Sequence, residues 1–449
     1  MENGLRAVPA ARFGTDGVRG VAGRDLTAAL ALEVAAAAVD VLAAGVARPL
    51  VLVGRDTRPS GPMLEAATVA GLLSRGAHVV TLGVVPTPAV AHLTDLYGAH
   101  LSVMLSASHN PSPDNGIKVF GPGGRKLTDA QEHAIEAALG APRAEVVGAA
   151  VGHLSDGRAA AAAHYLAHLR EVAREDLTGL RIVVDCAHGA AAALAPEAYR
   201  AAGAEVVVTG ADPDGVINDG VGSTPLDHLA ALVVAEGADL GIAHDGDADR
   251  CLAVDGEGTV VDGDQILALC ALAMRERGAL VDDTVVATVM SNLGFHHAMR
   301  DHGIEVVTTA VGDRYVLEVL AERGLSLGGE QSGHLVFTDA ATTGDGLLTA
   351  LRLMGHVARS GRSLAELARV VTRLPQVLLN VRVGDRDAVS SSPSVGAAVA
   401  AAEARLGEDG RVLLRPSGTE PVVRVMVEAP TDAEARHVAE SIAEVVGAV

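Results

Sequence analysis

RPLVLVGRDTRPSG at residues 48–61, continued by GLLSRGAHVVTLGVVP at 71–86, decides the fold. A Val- and Leu-rich run reads as a buried strand and RDTRPSG as a polar turn. A small-residue helix follows, and AHVVTLGVV reads as a second strand. Two parallel strands require such a crossover. The same order returns twice. GLRIVVDCAHGA at 179–190 leads to YRAAGAEVVVTGADP at 199–213, and DDTVVATVMSNLG at 282–294 leads to AMRDHGIEVVTTAVGD at 298–313. Three copies predict three related α/β domains. The C-terminus departs from the pattern. RVLLRPSGTEPVVRVMVEA at 411–429 reads as strand, turn, strand, and Thr431 then caps an amphipathic helix. This predicts a small α+β domain. The expected domains are 1–157, 158–258, 259–369 and 370–449, packed around clefts.

The chain has 449 residues, more than one core serves. Apolar residues at 49% and charged residues at 20% describe a globular protein. Aromatics are 2% and Trp is absent, which argues against stacking platforms for bases. A formal net charge of -21 argues against a nucleic-acid partner. Cations gathered locally in so acidic a chain point to phosphorylated ligands. Cys186, Cys251 and Cys270 are far apart in apolar runs, as buried thiols in a reducing compartment would be. The apolar run at 28–47 carries Glu33 and Asp40 and reads as a buried helix, not a membrane span. With no signal-peptide pattern, a cytoplasmic protein without a membrane partner is expected.

HDGDADR at 244–250 follows the buried-strand signal ADLGIA. Asp245, Asp247 and Asp249 therefore sit at a strand's carboxyl end, where parallel α/β sheets bind ligands. Three carboxylates so close repel one another unless a cation joins them, and hard oxygen ligands suit Mg2+ or Ca2+. An EF-hand would need Gly and Glu where Arg250 and Gly256 stand. The bland reading is a solvated polar turn.

In LSVMLSASHNPSP at 101–113 the first residues alternate as a strand, which makes Ser102 structural, and the prolines place Ser112 in a loop. Ser106 and Ser108 both remain candidates at the strand end, with His109 beside them. Lys118 in NGIKVF can reach an anion there, or be an exposed strand lysine. RPSGTEPVVR at 415–424 sets Arg415 and Arg424 around a Ser417-Gly418-Thr419 turn, which suits a phosphate cradle. It does not match a nucleotide P-loop. GGEQSGH at 328–334 offers Glu330, Gln331, Ser332 and His334 for hydroxyl recognition, and FGTDGVRG at 13–20 offers Arg19.

In this order, FGTDGVRG, SASHNP, DGDADR, GEQSGH and RPSGTEP resemble the α-D-phosphohexomutase superfamily across nearly the whole chain. Gln331, VGDRYVLE at 311–318 and TTGDGLLTAL at 342–351 are similar to its glucosamine-phosphate branch. The resemblance implies three α/β domains with mixed sheets and a C-terminal α+β domain around a central active-site cleft. It also implies an intramolecular phosphotransferase interconverting glucosamine 6-phosphate and glucosamine 1-phosphate through glucosamine 1,6-bisphosphate. By the same resemblance, that activity would feed UDP-N-acetylglucosamine and cell-wall precursor synthesis.

The resemblance selects Ser108, carried as phosphoserine. Mg2+ would be held by its phosphate with Asp245, Asp247 and Asp249. Glu330 and Ser332 would hold sugar hydroxyls, and Arg415, Ser417, Gly418, Thr419 and Arg424 the non-reacting phosphate. Arg19, Lys118, His109, Arg250 and His334 would surround the transferring group, with Lys118 and His334 as candidates for proton transfer. Glucosamine 1,6-bisphosphate or glucose 1,6-bisphosphate would serve as primer. A kinase or autophosphorylation would first charge Ser108, and a homodimer is the expected assembly. Rival readings are a phosphomannomutase or phosphoglucomutase with the same machinery, a metal phosphatase, and a non-catalytic sugar-phosphate binder. Two departures stand out. The loop PDGVINDGVGST at 213–224 is one residue shorter than the family pattern, and Ala248, where many relatives have Gly, is a mild change.

Overall fold

The computed structural model of the chain describes residues 12–14, 16–416 and 422–449. They form two compact units. The first comprises the chain up to Val289 together with Val307–Arg369; the second comprises Met290–Val306 and Val370–Val449.

The first unit holds three mixed sheets. Its N-terminal sheet is built from β1 (Val18–Val21), β2 (Leu50–Arg55), β3 (His78–Val84), β4 (Leu101–Leu105), β5 (Asp114–Gly121), β6 (Arg125–Lys126) and β7 (His153–Asp156). The order is β1-β5-β4-β2-β3-β7, with β6 on β5. β2 pairs in parallel with β3 and β4, whereas β5 pairs antiparallel with β4 and β1. Every residue of β4 is buried, so its LSVML sequence must be accommodated on both faces. The one polar residue in mid-strand, Ser102, meets this demand by sharing a 2.6 Å hydrogen bond with Thr94 Oγ1.

The second sheet contains β8 (Arg181–Asp185), β9 (Glu205–Thr209), β10 (Leu240–Ala243), β11 (Leu252–Asp255) and β12 (Val260–Val261), in the order β12-β11-β10-β8-β9. The third is built on β13 (Thr284–Thr288), β15 (Leu327–Gly329) and β16 (Leu335–Phe337). β14 (Glu305–Thr309) lies at its edge, and its residues from Val307 on belong to this unit. β2 and β3 are linked by the helix Gly61–Ser74, and β8 and β9 by Ala191–Ala201. These are crossovers of the kind expected for the repeat.

The third repeat has its helix too, Leu293–Asp301, but that helix belongs to the second unit. Asn292 accounts for this. It caps the helix and spends Nδ2 on Leu374 O at 3.0 Å and Glu428 Oε1 at 3.2 Å. The second unit also holds β17 (Gln376–Arg382), β18 (Arg411–Pro416) and β19 (Val422–Glu428), ordered β17-β19-β18 and all antiparallel, with the helix Pro393–Leu406 between β17 and β18. The helix Asp432–Gly447 packs on this sheet, its first turn capped by Thr431 through Glu434 N–H. Among the described residues, no helix is long and apolar enough to cross a membrane.

Candidate active site

β4 and β10 end at Leu105 and Ala243, and their carboxyl ends deliver the two loops that meet. Ser106 and Ser108 part company here. Ser106 Oγ donates to Asp56 Oδ2 at 2.7 Å and accepts the Ser108 N–H at 2.9 Å, so it is spent on holding the turn. Ser108 adopts φ +52°, a left-handed conformation that a side chain resists. Its Oγ donates to Asp245 Oδ2. His109 Nδ1 stands 3.4 Å from the same Oγ. Burial, followed by the nearby Arg250 and Arg19, pushes the His109 imidazole down to about 4.

Asp245, Asp247 and Asp249 are buried, and one oxygen of each lies within 4.8 Å of the others. Burial and the charges of Asp249 and Asp247 raise Asp245 well above the usual carboxylate range. Thr87 holds Asp247 by its N–H on the main-chain oxygen at 2.9 Å and its Oγ1 on Oδ2 at 2.5 Å. Asp247 Oδ1 and Asp249 Oδ1 are buried without a hydrogen-bond partner. Two orphaned carboxylate oxygens in so close a cluster fit a hard divalent cation. Ala248, between them, is held at φ +55°. The change from Gly at this position is therefore not mild: a β-carbon in the left-handed region costs about 1–2 kcal/mol.

Around these carboxylates runs a closed ring of charges. Lys118 Nζ lies 2.8 Å from Asp247 Oδ2, 2.9 Å from Asp16 Oδ2 and 3.4 Å from Asp249 Oδ2. Asp16 Oδ1 meets Lys126 Nζ at 2.8 Å, and Lys126 also pairs with Asp313. His334 closes the ring, with Nε2 3.4 Å from Asp313 and Nδ1 3.6 Å from Asp249. Burial alone would lower Lys118, but Asp16, Asp247 and Asp249 outweigh it and hold the ammonium well above its ordinary value. His334 is raised in the same way, burial being overcome by Asp249 and Asp313. Arg19 pairs with Asp16 and reaches Ala107 O at 3.4 Å. Arg250 Nε stays 3.9 Å from both Asp245 and Asp249, too far for a hydrogen bond.

A cavity of about 410 Å3 opens above this floor, lined by Arg19, Ser108, His109, Arg250, Glu330 and His334 among others. Glu330 accepts the Gly312 N–H at 3.0 Å and Ser332 Oγ at 3.3 Å, which aims the GEQSGH turn. In the second unit, Arg415 and Arg424 are direct cross-strand partners on β18 and β19, and Arg424 Nε is buried without a hydrogen bond. Ser417, Gly418 and Thr419 lie outside the described residues.

Several residues of the site escaped the sequence reading. Asp16 and Asp313 stand inside the quoted motifs FGTDGVRG and VGDRYVLE, yet an acidic residue has no visible role there without its lysine partners. Lys126 gives no local signal. Asp56 and Arg58 lie in the turn RDTRPSG and Asn218 in the shortened loop, and all three act on Ser108 through long-range bonds.

Four family models match the chain in order. "Phosphoglucomutase/phosphomannomutase, alpha/beta/alpha domain I" matches residues 10–144, domain II 163–258, domain III 262–374 and the C-terminal domain 378–445. The chain is 63% identical over 444 residues to a phosphoglucosamine mutase of Frankia casuarinae, covering 97% of each. It is 62% identical over 440 residues to that of Saccharopolyspora erythraea, covering 97% of this chain and 99% of the relative. Among solved structures, a phosphoglucomutase/phosphomannomutase family protein from Burkholderia thailandensis matches with a TM-score of 0.80 at 26% identity over 97% of each chain. The N-acetylphosphoglucosamine mutase of Aspergillus fumigatus, solved with GlcNAc-6P and magnesium, matches at 0.70 and 19% identity over 98% of this chain and 97% of its own, and shares the fold.

Proposed function

The chain belongs to the phosphoglucosamine mutase family of the α-D-phosphohexomutases, and from that premise we infer that it interconverts glucosamine 6-phosphate and glucosamine 1-phosphate. The observation that carries the chemistry is Ser108 Oγ bonded to Asp245 within the aspartate triad.

Ser108 carries the phosphoryl group. A free hydroxyl of the sugar phosphate, at C1 or C6, forms a bond to phosphorus as the bond to Ser108 Oγ breaks. The hydroxyl gives up a proton and Ser108 Oγ takes one. Glucosamine 1,6-bisphosphate results, turns over, and returns its other phosphate to Ser108. Asp245, Asp247 and Asp249 with a phosphate oxygen on Ser108 would hold Mg2+, which when bound supplies neutralisation of charge on the transferring group. Arg19 and Arg250 line the cavity beside Ser108 and offset the same charge, with Lys118 beneath them. His334 and Lys118 are the candidates for moving the hydroxyl proton, and of the two His334 lines the cavity. Glu330 and Ser332 orient sugar hydroxyls. By the family match, Arg415, Ser417, Gly418, Thr419 and Arg424 hold the non-reacting phosphate. Glucosamine 1,6-bisphosphate or glucose 1,6-bisphosphate primes Ser108.

Intact mass before and after addition of glucosamine 1,6-bisphosphate tests this reading. A phosphoryl-sized gain localised to Ser108, and a Ser108→Ala variant without mutase turnover, are the expected results. Full turnover by Ser108→Ala, or steady release of inorganic phosphate with no need of a primer, overturns it.

A further inference from the structure

Two side chains from different domains donate to the same pair of carbonyl oxygens, those of Ser108 and Asn110. Arg58 Nη2 donates to Ser108 O at 2.9 Å and to Asn110 O at 2.8 Å. Asn218 Nδ2 donates to Ser108 O at 2.8 Å and to Asn110 O at 3.0 Å. Arg58 follows β2 of the first sheet. Asn218 belongs to the loop 213–224 that leaves β9 of the second sheet.

Arg58 is 0% exposed and all five of its N–H donors are engaged. Nε bonds Asp56 Oδ2 at 2.9 Å, and Nη1 bonds Pro111 O at 2.6 Å and Asp114 O at 2.8 Å. Asp56 in turn accepts Ser106 Oγ, which accepts the Ser108 N–H. The Asp56–Arg58 pair thus governs both the N–H and the C=O of Ser108. Asn218 is itself left-handed, φ +61°, a conformation Asn tolerates, and its N–H bonds Ala187 O at 3.0 Å. Its neighbour Ile217 packs where a β-carbon on Gly246 would stand, within 2.7 Å. The short loop is therefore wedged between the Ser108 turn and the aspartate loop.

We propose that Arg58 and Asn218 are positioning residues for phosphoryl transfer, a paired clamp that holds the Ser108 turn left-handed and bolts it to the sheet carrying Asp245. The clamp rests on the mutase reading of Ser108. Rotating the Ser108–His109 peptide out of this turn would break the Arg58 and Asn218 bonds to Ser108 O together. Arg58 fixes the turn within its own domain. Beside the Ser108 Oγ–Asp245 bond itself, Asn218 ties the backbone of the turn to the domain that supplies the metal ligands, so that amide helps set the distance from Ser108 to Asp245. A misplacement of about 1 Å at the reacting atoms costs on the order of a hundredfold in rate.

The test uses the full chain with Asn218→Ala, Asn218→Asp and Ser108→Ala. Asn218 is only partly buried, so its variants fold where Arg58→Ala threatens the core. The clamp predicts that Asn218→Ala lowers kcat about tenfold or more while KM stays within about twofold, because the substrate contacts are untouched. Asn218→Asp is worse, since it turns a donor into a carboxylate facing two carbonyl oxygens. Single-turnover transfer from phospho-Ser108 to glucosamine 1-phosphate slows by the same factor as kcat. Wild-type kcat per folded molecule in both Asn218 variants, with Ser108→Ala inactive, overturns the clamp and leaves the mutase reading standing. Full turnover by Ser108→Ala overturns the mutase reading itself.

Discussion

Lys118, in the middle of β5, ends 2.8 Å from Asp247 Oδ2 in the loop after β10, so a residue of the first sheet neutralises a carboxylate of the second. The ammonium is 3% exposed and also serves Asp16 and Asp249. Lys118→Met would keep much of the volume and remove the charge from three carboxylates. Breaking a buried pair from one side costs about 3–5 kcal/mol. The expected outcome is a loss of that order in urea unfolding, and a fall in turnover of roughly a hundredfold or more in steady-state assays at matched folded protein.

Asp249→Asn removes one charge from the triad while leaving its shape. Thermal unfolding of the parent chain should rise with added Mg2+, through binding to the folded state alone. The variant should lose that response at the same concentrations. Dialysis of the parent against a chelator should abolish turnover, and Mg2+ should restore it.

Gly246→Ala tests how closely the two loops approach. A β-carbon there would stand 2.7 Å from Ser108 O, 2.7 Å from Ile217 Cδ1 and 3.1 Å from Asn218 Nδ2. The backbone oxygen cannot swing aside without leaving Arg58. The Ser108 turn must shift, and turnover should fall roughly a hundredfold with the urea midpoint lowered by about 1–3 kcal/mol equivalent.

Asp345 caps the helix Gly346–Ser360 and accepts Tyr165 Oη on both oxygens at 2.9 Å. Burial pushes its carboxyl from 3.8 to about 6, against the hydrogen bonds of Leu348 N–H and Tyr165. The folded state therefore holds this proton more tightly than the unfolded chain. Its contribution is fully present below about pH 4 and is lost as pH rises towards about 6, by at most about 3 kcal/mol. Asp345→Asn has no proton to lose and keeps a good cap. Its stability relative to the parent should rise from pH 4 to pH 7 by up to that amount, read from urea midpoints across the range.

Much of this was legible in the order of residues. Three strand–helix–strand repeats and the capped C-terminal helix follow from local periodicity, and the structure contains them. The aspartate loop announced itself because three carboxylates after a buried strand are costly without a cation. The choice between Ser106 and Ser108 was not legible from the residues, since both are serines at a strand end. Asp56, fifty positions earlier in the chain, separates them by taking the Ser106 hydroxyl. The loop at 213–224 is one residue shorter than the family pattern, and its spacing alone assigns it no contact. Asn218 seats it on the carbonyl oxygen of Ser108.

Hydrophobic period, capping residues and turn glycines act over a few positions, so the architecture and the kinds of chemistry present can be read along the chain. Which groups share charge is settled by folding. Whether Lys118 is an exposed strand lysine or the centre of a buried ring with Asp16, Asp247 and Asp249 depends on two sheets meeting at their carboxyl ends. Electrostatic and hydrogen-bond partners are set by distance in space after burial, and nothing in the spacing along the chain encodes that distance.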